Sequence, residues 1–408
     1  MKVALSSLIG ALLLWTAGCP AQNPPSSADD RAAVVNASNA FAVDLYDRLR
    51  TRSGNLFFSP ESISTALSMT YAGARGETAS EIGKTLHFNL PPDRLHSTEG
   101  ALLGDLNGAH DGYELRIDSA LWAQEGYPFL DAFLELNKRD YGAAVHRVDF
   151  KRAPEASRLA INQWVEQKSD QKIDNFLQPG ALSPDLKLVL TDTIYFKSHW
   201  WTQFIKANTQ DGDFNASPIR TVKAPMMHLT GHFNYLKGDA FRALEVPYEN
   251  NRASLIVILP DNYAGLSDFE RSFTAANLVR WLGELRIAQK VMLTLPRFKV
   301  SQQFELKDAL AAMGMPAAFQ QGAADFSGMT GNRKLFLSAV IHRAFIDLNE
   351  EGTEAAAVTG SFGVAGMEGL GHEEPPIPFT VDHPFIFLIR DNRTGSILFM
   401  GRLTDPTQ

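Results

Sequence analysis

The chain has 408 residues, 45% of them hydrophobic and 21% charged, with a formal net charge of −8. This composition describes a folded protein with material for a large core, and the length alone argues for two or three domains, since single cores rarely grow past roughly 250–300 residues. The acidic balance argues against a nucleic-acid partner, which needs a basic face, and no motif indicates a metal or organic cofactor.

In chain order, Met1-Lys2 precede an apolar run from Val3 to Trp15, followed by Thr16-Ala17-Gly18-Cys19. A basic start, a short apolar stretch and small residues before a cleavage point read as an export signal over residues 1–18, not a membrane span. The Ala-Gly-Cys ending resembles a bacterial lipobox, which makes Cys19 the lipidated first residue, although Thr16 stands where that pattern usually has Leu. Plain secretion with cleavage near Ala21 is the alternative. Cys19 is also the only cysteine, so no intramolecular disulfide can form. The expected location is the outer membrane as a lipoprotein, the periplasm or the cell surface, and otherwise the extracellular medium.

Residues 19–31 are rich in Pro, Ser and Asp, lack aromatic residues and read as a flexible tether. From Ala32 onward Val35, Phe41, Leu45 and Leu49 recur at helical spacing. After a turn at Ser53-Gly54-Asn55, Ser59 is a cap and Pro60 a first-turn residue for a helix through Tyr71. Strand signals follow at Lys187–Phe196, Ala253–Leu259, Lys290–Leu295, Leu335–Asn349, Pro384–Arg390 and Ser396–Gly401, all rich in β-branched and aromatic residues. Helices dominate the first half and strands the second, without regular alternation, so the fold class is α+β. Between the last strong strands lies Glu350–Pro378, a stretch of mostly Gly, Ala, Thr, Glu and Pro. Such a long connection inside a compact domain is usually functional or disordered.

Four segments in order resemble the serpin family. They are Asn55–Ile82 (NLFFSPESISTALSMTYAGARGETASEI), Ile161–Phe214, Ala339–Gly360 and Phe379–Ile389 (FTVDHPFIFLI). The resemblance implies one serpin domain over residues 32–406, with three β-sheets, about eight or nine α-helices and an exposed reactive loop at about 350–378. It implies a serine-protease inhibitor, monomeric and not an enzyme. In that mechanism a protease acylates itself on the loop, which then enters the main sheet and traps the enzyme covalently. A membrane partner is expected only through the lipid anchor.

Read with a strand's period of two, Thr353, Ala355, Ala357, Thr359, Ser361 and Gly363 form a small, uncharged face able to enter a sheet, leaving Glu354 in solvent. By the resemblance, the hinge comprises Glu350, Glu351, Gly352, Thr353, Glu354, Ala355, Ala356 and Ala357. Family spacing puts the reactive bond at Gly366-Met367. The loop is longer than in typical relatives, so Met367-Glu368 and Leu370-Gly371 remain alternatives. No Lys or Arg occurs between Glu350 and Pro384. An elastase-, chymotrypsin- or subtilisin-like target therefore fits better than a trypsin-like one.

The resemblance also implies a polar cluster of Ser59, Ser62, Asp192 and His342 where the main sheet opens. Asp192 replaces the usual Asn, and the expectation is that an Asp–His pair makes opening sensitive to pH. Trp200 matches the point where the loop enters, and Arg297 matches the partner of Glu350. Among rival classes, Ser169-Asp170-Gln171-Lys172 has the Ser-x-x-Lys spacing of penicillin-binding enzymes on what reads as a polar helix. No Ser-Asp-Asn or Lys-Thr-Gly follows, and no Gly-x-Ser-x-Gly or His-Glu-x-x-His occurs. A second rival is a non-inhibitory serpin that binds or carries a ligand.

Overall fold

The computed structural model describes residues 27–288, 290–354 and 375–408. The export signal, Cys19, most of the tether, and Ala355, Ala356, Ala357, Gly366, Met367, Glu368, Leu370 and Gly371 lie outside the described residues.

The first helix, Ala28–Leu49, starts inside the segment read as a tether. The Ser27 side chain accepts from Asp30 N–H as a cap, and Asp29 and Asp30 sit favourably at the positive helix end. Asp30 is buried against Arg94 of the helix Pro92–Leu106, so packing holds this first turn in place. The folded domain therefore begins before Ala32. The next helix, Pro60–Tyr71, has the cap and first-turn proline expected of it, with Ser59 Oγ accepting from Ser62 N–H at 3.1 Å. All of its residues from Pro60 to Thr70 are buried, which places it between layers rather than on the surface.

Three sheets are present. The main sheet runs in the order Phe298–Glu305, Ala339–Leu348, Gly352–Thr353, Leu188–His199, Tyr113–Gln124, Gly108–His110, with Val145–Val148 also paired to Tyr113–Gln124. A second seven-stranded sheet contains Leu56–Phe58, Ile397–Leu403, Phe385–Asp391, Ala253–Pro260, Phe241–Pro247, Asn234–Lys237 and Arg286–Ile287. A four-stranded sheet holds Ile377–Thr380, Val291–Pro296, Arg220–Gly231 and Gln210–Ser217. Ten α-helices occur among the described residues, of which Leu266–Glu270 and Ser327–Thr330 are single turns. One apolar cluster runs from Val34 to Leu403, so a single core serves the whole length instead of two or three. A smaller cluster packs Ile161 and Val165 of the helix Pro154–Lys168 onto Trp122, Val189 and Ile341 of the main sheet.

All six strand signals correspond to strands, but the one beginning at Leu335 starts only at Ala339. Tyr113–Gln124, Arg220–Gly231 and Phe298–Glu305 carried no strand expectation. Their core residues alternate with charged or polar ones, as on half-exposed strands.

Candidate functional site: the split main sheet

The strands Leu188–His199 and Ala339–Leu348 run parallel and pair from Val189 with Ala339 up to Thr193 with Arg343. Beyond Arg343 they part, and Gly352–Thr353 sits between them at the far end. There Thr353 is opposite both Leu348 and Ser198, and Gly352 is opposite His199. The sheet is thus closed at one end and wedged open at the other by the first residues of the loop.

A buried polar network joins the closed end to the helix Pro60–Tyr71. Ser59 N–H donates to His342 Nε2 at 3.0 Å, and Ser62 Oγ donates to Asp192 Oδ1 at 2.6 Å. His342 Nδ1 bonds the same Asp192 oxygen. Because Nε2 accepts from a backbone N–H, the proton resides on Nδ1, and the ring is neutral and donates to the carboxylate. A second proton on the ring would face the Ser59 N–H and break that bond. Asp192 and His342 are both fully buried, and Asp192 Oδ2 has no hydrogen-bond partner. The four residues implied for this cluster are therefore brought together, with one carboxylate oxygen left unsatisfied.

At the open end, Trp200 Nε1 donates to Asn349 O at 2.8 Å, and Trp200 N–H donates to Glu351 O at 3.0 Å. Its ring stacks on Tyr248 at 4.5 Å, and the Tyr248 hydroxyl bonds Thr353 Oγ1 at 2.7 Å. Thr353 is 2% exposed, in line with its place on the inward face. Gly352 is required by close approach, because a Cβ there would lie 2.0 Å from Ser198 O. Arg297 Nη1 reaches Glu350 at 3.6 Å, with Glu350 buried and the arginine half-buried. This pair joins the edge strand to the turn that leads into the loop.

Glu354 departs from the simple period-two reading. Its backbone is left-handed, at φ 51°, and its side chain is only 3% exposed, so in the intact molecule it is not in solvent. Its nearest cation is Lys172, at 3.9 Å. Burial pushes its carboxyl up to about 7; Lys172 opposes the rise, while Asp347 and Asp170 add to it.

Sequence reasoning missed Tyr248 and Lys172. Lys172 drew attention only as part of the Ser-x-x-Lys spacing. That spacing lies beyond the helix end at Lys168, and Ser169 Oγ is buried and accepts from Ile173 N–H at 3.1 Å. Nothing in the sequence brings Lys172 to the hinge. Tyr248 carries a weak signal as an aromatic residue following Pro247.

Residues 36–406 match the family described as serpin (serine protease inhibitor). The chain is 40% identical over 379 residues to the leukocyte elastase inhibitor of Equus caballus, covering 91% of this chain and 98% of that protein. It is 38% identical to Serpin B3 of Homo sapiens, covering 92% and 100%. Among solved structures it resembles uncleaved ovalbumin with a TM-score of 0.83 at 29% identity, covering 92% and 100% of the two chains. Human thyroxine-binding globulin complexed with thyroxine gives 0.83 at 32%, covering 93% and 100%. The chain belongs to the serpin family. Its fold is the serpin fold, and that membership supports protease inhibition and complex formation with serine proteases.

Proposed function

We propose that this protein inhibits a serine protease as a suicide substrate. The observation that carries the reading is the Gly352–Thr353 pair, already seated in a sheet that stays parted above Arg343 and Thr193. The protease serine attacks the loop carbonyl, the peptide bond breaks, and the ester-linked loop enters the parted strands. Each added residue contributes roughly 0.5–1.5 kcal/mol net per ladder hydrogen bond. About ten such residues release free energy on the scale of a domain's stability.

The reactive bond is assigned to Gly366-Met367, with Met367-Glu368 and Leu370-Gly371 as alternatives. The preferred targets are elastase-, chymotrypsin- or subtilisin-like, a choice supported by the loop's lack of basic residues and by the likeness to leukocyte elastase inhibitors. The protein acts as a monomer and performs no catalysis. It is exported in a bacterial cell and anchored through Cys19, which the export signal and lipobox-like ending support.

The test is to mix the protein with each of the three proteases and run a denaturing gel. A band at the summed mass, with mass spectrometry of the released C-terminal peptide, supports trapping and fixes the bond. Complete cleavage without that band overturns it and favours a carrier, the second reading, which the likeness to thyroxine-binding globulin supports.

A further inference from the structure

The geometry around Glu354 points to a device on the loop's first turn. We propose that the Glu354 carboxyl, turned beneath the segment that follows the helix Pro154–Lys168 and reached by Lys172, is a proton-controlled latch that holds Gly352–Thr353 in the main sheet. This deepens the inhibitory reading, since it concerns the same hinge, but its test needs no protease.

Four observations meet at this residue. Its backbone is left-handed, which a non-glycine residue adopts only at a cost that its surroundings must offset. Its N–H donates to Asp347 O at 2.9 Å, closing the turn onto the neighbouring strand. Its carboxyl is covered, yet Oε2 has no hydrogen-bond partner. The Lys172 ammonium at 3.9 Å is beyond hydrogen-bond reach and itself half-exposed, so it compensates the charge only in part. A neutral carboxyl suits this seat and a carboxylate does not.

The charged and titratable groups around it come from three directions. Lys172 and Asp170 belong to the segment that follows the helix, Asp347 to the strand Ala339–Leu348, and Lys197 and Tyr195 to the strand Leu188–His199. The two lysines oppose the two aspartates, and burial is the leading cause of the rise to about 7.

The sign follows. A carboxyl that holds its proton more tightly in the seat than in water favours the seat in acid. That preference fades as pH climbs from the ordinary glutamate range through about 7 and is constant above it. Rising pH therefore loosens the hinge. Glu354 returns to water when the hinge lifts out, and it also faces outward when the loop enters fully in a strand's alternation.

The experiment is hydrogen exchange at the Thr353 and Glu354 amides of the intact chain, corrected for intrinsic rate, from pH 5 to pH 7.5. The seating constant is expected to fall about fifty-fold across that range in the wild type. Glu354→Gln, neutral at every pH and nearly isosteric, is expected to hold the hinge with no such dependence. Lys172→Met removes the cation that lies within 4 Å among the described residues, so its fall extends to higher pH. A flat wild-type profile overturns the latch, as does an unchanged slope in Glu354→Gln. Loss of the covalent band in the protease gel with these exchange profiles intact would sink the inhibitory reading and leave the latch standing.

Discussion

The two ends of the main sheet use the same pair of strands and hold them by opposite means. At the closed end, Leu188–His199 and Ala339–Leu348 pair directly, and the pairing is fastened by Ser59, Ser62, Asp192 and His342 from three separate elements. At the open end the strands do not meet. A two-residue insert occupies the far end of the gap, positioned by Trp200 and Tyr248 and lacking any side chain at Gly352. A sheet built this way is stable as it stands and still has somewhere to go, because opening the closed end costs a polar network whereas extending the insert forms new ladder bonds. On the inhibitory reading proposed above, the difference would make the open end a trigger and the closed end a resistance.

The largest expected effect tests the trigger. Thr353→Arg puts a charge into a site that is 2% exposed and removes the hydroxyl bonded to Tyr248, so the hinge cannot seat or advance. The covalent band is expected to vanish on a denaturing gel while the loop is still cut, with a normal melting curve showing that the fold survives. Thr353→Val keeps the size and is expected to retain the band. An undiminished band in Thr353→Arg breaks the assignment of the open end.

A smaller effect tests the resistance. Asp192→Ala leaves the His342 Nδ1–H and the Ser62 hydroxyl buried without their acceptor, a loss of about 3–5 kcal/mol. Denaturant unfolding measures it. Asp192→Asn keeps the acceptor oxygen and is expected to lose far less. Comparing inhibition rates of wild type and Asp192→Asn from pH 5 to pH 7 tests whether the carboxylate makes opening pH-sensitive; coincident profiles would remove that role.

The closed end was far more legible in the sequence than the open end. Ser59 and Pro60 announce a helix start through local chemistry, and the apolar run Ala253–Leu259 can only be a buried strand or a buried helix turn. The meeting of Ser59 with His342, far apart in the chain, came from family resemblance, since no local pattern encodes it. Tyr113–Gln124 was hidden because Glu114, Arg116 and Asp118 alternate with the buried Leu115 and Ile117, and interleaved charges read as surface unless the period of two is counted. The left-handed turn at Glu354 was unreadable, because glutamate carries no local preference for it. The segment around Lys172 and the neighbouring strands, distant in the chain, contribute to that turn's environment.

The smallest effect concerns a carboxyl behind the closed end. Glu61 lies one residue from Ser62 on the buried helix, accepts from Ser38 Oγ at 3.0 Å and has no cation beside it among the described residues. Burial pushes it up to about 7, Ser38 and Ser396 oppose the rise and Asp391 adds to it, while Glu99 nearby is pushed well above the usual carboxylate range. Both acids hold protons more tightly folded than unfolded. The contribution of Glu61 is full below the ordinary glutamate range and is lost as pH rises through about 7. Glu61→Gln is therefore expected to narrow the gap in melting temperature between pH 5 and pH 8, by stabilising the alkaline form about 1–3 kcal/mol. The hinge amides at Thr353 and Glu354 are expected to keep their own pH profile in this variant. If they change with it, the two ends are coupled through the helix Pro60–Tyr71, and the division between trigger and resistance gives way to one cooperative unit.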